Sequence, residues 1–169
     1  KMKTNRANST KADFIEMIEK QKGIIYKIAN AYSRSSEDQE DLVQEIILQL
    51  WSSFGNYDPQ YKISTWIYRI ALNVSITHYR KDVVRKKYDI PMTVNHIDRS
   101  DAQEDNQAED IRQLRKFIQE LDEMNRALMI LYLDGNSHQE ISDVLNISVS
   151  NVGTKISRIK EKLREKFKK

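Results

Sequence analysis

The sequence has no cysteine, and its 169 residues include only two prolines and four glycines. Without cysteine, the chain can form neither a disulfide framework nor a thiolate metal site. The scarcity of glycine and proline disfavours a β-fold with many turns. No apolar run approaches the roughly 20 residues of a membrane-spanning helix, and the polar beginning of the chain has no signal-peptide core. We therefore expect a soluble helical protein of the cytoplasm.

Charge is distributed unevenly along the chain, although the formal net charge is only +3. Residues 95–110 contain six acids and one base, whereas residues 151–169 contain eight bases and two acids. Residues 80–87 add five bases and one acid. Two basic blocks separated by an acidic block indicate two modules that face polyanions and are joined by a solvated connector.

Apolar residues at spacings of three and four predict three helices in the first half of the chain. The first covers about residues 11–32 and the third about residues 64–81. The second ends near Phe54 and begins at Ser36, which with Gln39 has the pattern of a capping box. The side chains predicted to face the core are Phe14, Ile18, Gln21, Ile25, Ile28 and Tyr32, then Leu42, Ile46, Leu50 and Trp51, then Trp66, Ile67, Ile70, Ala71 and Val74.

Periodicity disappears over residues 88–108, which contain Pro91 and most of the acidic block. We interpret this stretch as a flexible acidic linker. After it, Ile111, Leu114, Ile118 and Leu121 predict a helix, and a further helix over residues 124–133 is stopped by an Asp-Gly pair. The expected fold is therefore all-α, with two small helical domains at residues 10–87 and 109–169.

The last part of the chain has the pattern of a helix-turn-helix. Ser137 and Glu140 form a capping box that starts a helix over residues 138–145, and Asn146 tolerates the left-handed backbone that a tight turn needs. Ser148 can cap a second, basic helix, so this pair of helices is typical of DNA binding, although a basic amphipathic helix can also be only a solvated face. The candidate DNA-contacting residues of the second helix and its cap are Ser148, Ser150, Asn151, Thr154, Lys155 and Arg158.

Two separate stretches resemble one known family. "EDLVQEIILQLW" followed by "FGNYDPQYKISTWIYRIALNVSITHYRK" resembles the polymerase-binding and minus-ten-reading core of the bacterial extracytoplasmic-function sigma factors of the sigma-70 family. "LDEMNRALMILYLDGNSHQEISDVLNISVSNVGTKISRIKEKLR" resembles their minus-thirty-five-reading domain. One departure is Gly153, which stands where many family members carry a basic residue.

The resemblance implies a transcription initiation factor that binds core RNA polymerase, directs it to promoters by reading both elements, and assists promoter melting. It implies no catalytic residues, no cofactor and no small-molecule substrate. The implied partners are core RNA polymerase, promoter DNA and a membrane-tethered anti-sigma factor.

The second helix presents an acidic, solvent-facing stripe opposite its core side. Leu48 is the one apolar member of that stripe, which suggests a protein partner, although a single exposed leucine is common. The resemblance implies that this stripe docks on the clamp helices of core polymerase. The stripe residues are Asp41, Gln44, Glu45 and Leu48.

The loop after the second helix combines aromatic, amide and basic side chains, which together can hold an unstacked nucleobase at roughly 1–3 kcal/mol per stacked base. The alternative is a surface turn whose tyrosines cover the core. The resemblance implies capture of a flipped non-template base here and minus-ten contacts on the next helix. The candidates are Asn56, Tyr57, Tyr61, Lys62, Arg69, Asn73, Thr77, Arg80 and Lys81, with Arg85, Lys86 and Lys87 near phosphates.

Two other classes of function fit the sequence less well. An enzyme or metal protein is disfavoured because His78, His96 and His138 are scattered without metal-ligand spacing, and the acidic linker lacks the regular positions of a calcium loop. A free-standing helix-turn-helix regulator that binds operator DNA would need a dimer interface or an effector pocket, and the sequence indicates neither.

Overall fold

The computed structural model describes residues 2–88 and 106–168. All regular secondary structure in these two ranges is helical, which confirms the expected all-α class. The chain divides into two compact units at Lys81 and Asp82. The predicted linker lies almost entirely outside the described residues, so the domain boundaries stay a prediction. The helices are α1 (Met2–Tyr32), α2 (Ser36–Ser53), the short 3-10 helix η1 (Phe54–Asn56), α3 (Ile63–Tyr88), α4 (Asn106–Glu120), α5 (Glu123–Leu133), α6 (His138–Leu145) and α7 (Val149–Phe167).

The core of the first unit lies where α1, α2 and α3 turn their apolar faces toward one another. The predicted core face of α1 is confirmed, because four of its residues are buried and Ile18 and Gln21 are half-buried. Burial of this surface is the main stabilising contribution, at about 25 cal/mol for each Å² of apolar area. The buried apolar residues are Phe14, Ile25, Ile28, Ala29, Tyr32, Leu42, Val43, Ile46, Leu50, Ile67, Tyr68, Ala71, Leu72 and Ile76.

The start of α2 differs from the prediction by one residue. Ser35 is the N-cap, with φ −144° and ψ 167°, and its Oγ accepts a hydrogen bond from the backbone N–H of Asp38 at 3.1 Å. Ser36 is already helical, so the predicted capping box of Ser36 and Gln39 is wrong. The carboxylate of Asp38 also accepts the backbone N–H of Arg34 at 3.1 Å, which fixes the chain just before the helix.

The buried face of α3 is rotated by about one residue, or roughly 100°, from the predicted face. Ile67 and Ala71 are buried as expected, but Trp66, Ile70 and Val74 are only half-buried. The other buried positions are Thr65, Tyr68, Leu72, Ser75 and Ile76. The prediction was wrong because it followed the apolar stripe that contains Ile70 and left out the neighbouring stripe that contains Leu72 and Ile76.

An aromatic cluster joins the three helices of the first unit at one edge of the core. Phe14 of α1 contacts Trp51 and Phe54 edge to face, with ring centroids 4.9 Å and 5.3 Å apart. Trp66 of α3 lies 6.3 Å from Phe54 and 5.3 Å from Tyr57. Such pairs contribute about 0.5–1.5 kcal/mol beyond their burial. Trp51 is nevertheless 44% exposed, so its predicted place in the core is wrong.

The second unit packs α4 to α7 around the apolar side of α5. Arg126 of α5 is buried, and its guanidinium donates hydrogen bonds to the carbonyl oxygens of Gln119 at 2.7 Å and Leu121 at 3.1 Å. These bonds supply donors to a carbonyl in the last turn of α4 and to the carbonyl just beyond its end. Phe117 is the buried residue of α4, and the predicted core position Ile111 is 52% exposed. The inward face of α4 therefore lies nearer its end than the sequence suggested.

The helix-turn-helix forms as the sequence predicted. Ser137 and Glu140 make a complete capping box at the start of α6, whose bounds match the expectation. Asn146 ends α6 with φ 55° and ψ 45°, in the left-handed region. Ser148 then caps α7 by accepting the backbone N–H of Asn151 at 3.1 Å. The buried residues of the pair are Ile141, Val144, Val152, Ile156 and Ile159. Across the described ranges, no helix has the length and apolar character needed to cross a membrane.

Candidate protein and nucleic-acid interfaces

The first candidate surface is the α2 stripe, formed by Asp41, Gln44, Glu45 and Leu48. All four residues are exposed, because they lie on the side of α2 opposite its buried residues. Leu48 is 65% exposed, so a large apolar side chain stands in water between acidic and amide groups. Covering it would remove apolar area from water, and the flanking carboxylates would favour a basic partner. The stripe therefore has the chemistry of a protein-docking surface.

Two residues beside the stripe were not foreseen as part of this surface. Trp51 lies one turn after Leu48 and keeps part of its ring in solvent while its edge packs on Phe14. Its spacing of three from Leu48 was the available signal. His78 of α3 lies beside Glu45, with 3.8 Å between Nδ1 and Oε2. No local pattern could indicate this pairing, because the two residues are 33 positions apart in the sequence.

The loop between η1 and α3 holds its two tyrosines in different ways. The hydroxyl of Tyr57 donates a hydrogen bond to the carbonyl oxygen of Tyr61 at 2.5 Å, and its half-buried ring packs on Trp66. The backbone N–H of Gln60 donates to Oδ1 of Asp58 at 3.0 Å, which stabilises the turn. Tyr57 thus closes the loop and packs against α3.

Tyr61 is the more accessible tyrosine, since its ring is 39% exposed. The guanidinium carbon of Arg69 lies 5.3 Å from the centre of that ring, at the distance of a cation–π contact. Asn56 and Lys62 are exposed at the two ends of the loop. An aromatic ring bounded by an amide and cationic groups is suited to stack and hold a nucleobase.

The polar face of α3 continues from this loop. Arg69 is half-buried, and the exposed positions after it are Asn73, Thr77, Arg80 and Lys81. Spacings of three and four place most of these side chains on one side of the helix. The last turn adds exposed Arg85, Lys86 and Lys87. An amide, a hydroxyl and several cations on one face supply donors for base edges and phosphates.

The second nucleic-acid candidate is the exposed face of α7. Ser150, Asn151 and Arg158 are exposed there, and Lys155 is half-buried at its flank. The hydroxyl of Thr154 donates to the carbonyl oxygen of Ser150 at 3.0 Å, and the hydroxyl of Ser148 is used by the helix cap. Both hydroxyls are therefore partly used within the helix, whereas Asn151 and Arg158 are exposed candidates for donors to DNA.

Gly153 lies on the side of α7 that faces α6. A β-carbon placed at this position would lie 3.7 Å from the imidazole of His138, an ordinary van der Waals distance. The packing of the two helices therefore does not require glycine, and nothing in the structure explains this departure from the family pattern.

The ionic groups with shifted pKa values lie outside the candidate surfaces. A hydrogen bond from Lys20 lowers the pKa of Glu16, and a hydrogen bond from Lys166 lowers the pKa of Glu120. Among the side chains that the structure describes, no group of three or more His, Asp or Glu residues is arranged to hold a metal ion.

Both halves of the sequence match a known family. Residues 17–83 match Sigma-70 region 2, and residues 111–163 match Sigma-70, region 4. The RNA polymerase sigma factor SigZ of Bacillus subtilis (strain 168) is 32% identical over 127 residues, which cover 75% of this chain and 70% of that protein. The chain belongs to the sigma-70 family of RNA polymerase sigma factors.

A further relative indicates which group of sigma factors this is. The ECF RNA polymerase sigma factor SigW of Bacillus subtilis (strain 168) is 27% identical over 166 residues, covering 92% of this chain and 89% of that protein. This sigma factor therefore belongs to the extracytoplasmic-function group, and the alternative of a free-standing helix-turn-helix regulator is not supported.

The fold of the sigma factor is also found in solved structures. The sigma factor RpoE of Bartonella quintana, crystallised in complex with the anti-sigma factor NepR, aligns with a TM-score of 0.70 at 19% identity, covering 90% of this chain and 95% of that one. At this identity, the likeness establishes the shared fold alone. The α2 stripe lies within the region 2 match, and so does the tyrosine loop, residues 57–62 between η1 and α3. Helix α6 and most of α7 lie within the region 4 match.

Proposed function

We propose that this sigma factor binds core RNA polymerase through the α2 stripe, reads the minus-ten element with the tyrosine loop and α3, and reads the minus-thirty-five element with α7. It assists promoter melting in the cytoplasm without catalysing nucleotide transfer. The observation that supports this proposal most is the exposed Leu48 among the acids of α2. Trp51, one turn after Leu48, is also exposed, so the apolar surface here is larger than one isolated leucine.

The role of the stripe is tested by placing a positive charge at its apolar centre. Leu48→Arg removes apolar contact and opposes a basic partner surface, so the affinity for core polymerase should fall by about tenfold or more. Gln49→Arg is the matched control, because it adds the same charge to an exposed position one residue further round α2. Equal affinities of the two variants in a titration with core polymerase would contradict the assignment.

The role of the tyrosine loop is tested by measuring how well its variants form the open promoter complex. Tyr61→Ala removes the exposed ring and should reduce open-complex formation more than initial promoter binding, because stacking is made only with an unpaired base. Permanganate reactivity of the melted thymines measures opening directly. Tyr57→Phe is the control, since it keeps the ring on Trp66 and removes only the hydrogen bond to Tyr61. Equal losses of binding and opening in Tyr61→Ala would remove base capture from the proposal.

The role of α7 is tested by the salt dependence of duplex binding. Neutralising Arg158 or Lys155 should lower the magnitude of the salt slope by about one for each phosphate contact. Asn151→Ala and Ser150→Ala should instead change the preference among minus-thirty-five sequences. If all four variants altered only the salt slope, α7 would hold the DNA backbone and base reading would lie elsewhere.

A second protein partner is proposed as well. The Bartonella quintana relative was crystallised with an anti-sigma factor, and the family resemblance implies a membrane-tethered protein of this kind. An anti-sigma factor that covers the α2 stripe would compete with core polymerase. Release of bound core polymerase by the purified cytosolic part of such a protein is the expected result, and simultaneous binding of both would contradict competition.

A further inference from the structure

His78 of α3 lies between two carboxylates of α2. Its Nε2 is 2.8 Å from Oδ1 of Asp38, a hydrogen-bond distance, and its Nδ1 is 3.8 Å from Oε2 of Glu45, within ion-pair distance when the ring is protonated. The imidazole side chain is only 25% exposed. Asp38 and Glu45 are seven residues apart, so they lie two turns apart on the same side of α2. One partly buried ring therefore contacts two separated points of the helix.

Asp38 is the fixed end of this arrangement. Its backbone N–H donates to Oγ of Ser35, and its Oδ2 accepts the backbone N–H of Arg34. Its other oxygen, Oδ1, meets His78, and because a carboxylate can only accept, Nε2 of the ring carries the proton of that bond. The bond holds the imidazole against the first turn of α2.

Glu45 is the adjustable end, because its side chain is 57% exposed and belongs to the α2 stripe. A free glutamate side chain samples several rotamers, and ordering it on binding has an entropic cost. A neighbouring ring that is itself fixed reduces this freedom before a partner arrives. Asp41, Gln44 and Leu48, the other members of the stripe, are exposed on the same side of α2.

We propose that His78 is a positioning residue for the polymerase-binding surface. Its hydrogen bond to Asp38 fixes the ring, and the ring, when both nitrogens are protonated, pairs with the carboxylate of Glu45 at the edge of the α2 stripe. His78 also stands next to Thr77 on α3, so one side chain joins the helix that faces polymerase to the helix that faces DNA. The inference rests on the proposed function, since the position of Glu45 matters to polymerase only if the stripe binds it.

A double-mutant cycle on the full-length sigma factor tests the inference. The affinity for core polymerase is measured for the unchanged chain, His78→Ala, Glu45→Gln and the double variant. Each single change should weaken binding by roughly two- to fivefold, the range of a partly exposed ion pair. The double variant should be no weaker than Glu45→Gln alone, because His78 acts through Glu45. Additive losses, or an unchanged affinity in either single variant, would overturn the inference.

His78→Gln separates positioning from a general loss of stability. A glutamine amide can still donate to Asp38, but it brings no second ring nitrogen to Glu45. Thermal unfolding should therefore stay close to that of the unchanged protein, while polymerase affinity falls as in His78→Ala. Full recovery of affinity in His78→Gln would overturn the inference. Leu48→Arg, measured in the same assay, separates failure of the proposed function from failure of this inference. If Leu48→Arg binds polymerase normally, the proposed function of the stripe fails. If Leu48→Arg weakens binding but the cycle is additive, only the role of His78 is rejected.

Discussion

The two units of this sigma factor differ in the interactions that hold their helices in place. In the second unit, Asp122, Ser137 and Ser148 each cap a helix, and Gly135 and Asn146 supply the left-handed turns. In the first unit, α1 and α3 are long, at 31 and 26 residues, and the aromatic cluster joins them at the edge of the core. The caps and turns of the second unit are bonds between near neighbours in sequence, whereas the aromatic cluster of the first unit joins residues that are far apart in sequence.

The largest expected effect on stability lies in the core of the first unit. Leu50→Ala removes a fully buried side chain from α2 and should lower the free energy of unfolding of that unit by about 2–5 kcal/mol. Denaturant unfolding followed by circular dichroism measures the change. Leu48→Ala is the control and should stay within about 0.5 kcal/mol, because Leu48 is exposed. An equal shift of both units' transitions would show that they do not unfold independently.

A smaller effect is expected at the turn of the second unit. Asn146 has φ 55°, and alanine in the left-handed region costs about 1–2 kcal/mol. Asn146→Ala should therefore lower the melting temperature of the second unit. Asn146→Gly provides the comparison, since glycine adopts this conformation readily and should retain most of the stability. If the glycine variant lost as much as the alanine variant, the side chain of Asn146 would matter more than its backbone.

Helix caps should matter in both units, and they test the corrected start of α2. Ser35→Ala and Ser148→Ala each remove a hydroxyl that accepts a backbone N–H and should each cost about 1 kcal/mol. Ser36→Ala changes a serine that lies inside α2 and should leave stability within about 0.5 kcal/mol. Thermal unfolding of the three variants under one condition gives the ranking. A larger loss in Ser36→Ala than in Ser35→Ala would restore the original assignment of the cap.

The smallest effect concerns the ion pair between Glu120 of α4 and Lys166 of α7. The hydrogen bond from Lys166 lowers the pKa of Glu120 below its usual 4.5. Since the carboxyl of the folded state titrates at lower pH, its stabilising contribution is present above about pH 4.5 and is lost as the pH falls through the folded value. Glu120→Gln should slightly flatten the fall of melting temperature in this acidic range. An unchanged pH profile would mean that solvent screens the pair completely.

The same contrast explains which parts of the fold could be predicted from sequence. The bounds of α6 and the left-handed Asn146 were predicted correctly, because a cap and a turn depend on residues three or four positions apart. The buried face of α3 was not, because it depends on where α1 and α2 lie. Tyr68, Leu72 and Ile76 form one apolar stripe, and Trp66, Ile70 and Val74 form another. Only the packing of α3 on the other helices decides which stripe is buried.

The candidate surfaces show the same limit. Sequence spacing identified the exposed side of α2, since Leu48 stands opposite a regular apolar stripe. It also named both tyrosines of the loop, but it could not assign them separate tasks. The hydroxyl of Tyr57 is used within the loop and the ring of Tyr61 is not buried, and that difference arises from the contact between Tyr57 and Trp66. The contact between His78 and Glu45 likewise exists only after α2 and α3 have folded together.

The aromatic cluster also determines how the protein can be observed. Both tryptophans of the chain, Trp51 and Trp66, contact members of this cluster in the first unit. Tryptophan emission therefore monitors the first unit alone, while helical ellipticity sums over both units. Trp51, with its ring at the solvent boundary near Leu48, is a built-in fluorophore for the proposed docking of a partner on α2. The proposed binding of duplex DNA by α7 would leave tryptophan emission unchanged unless its effect reached the first unit.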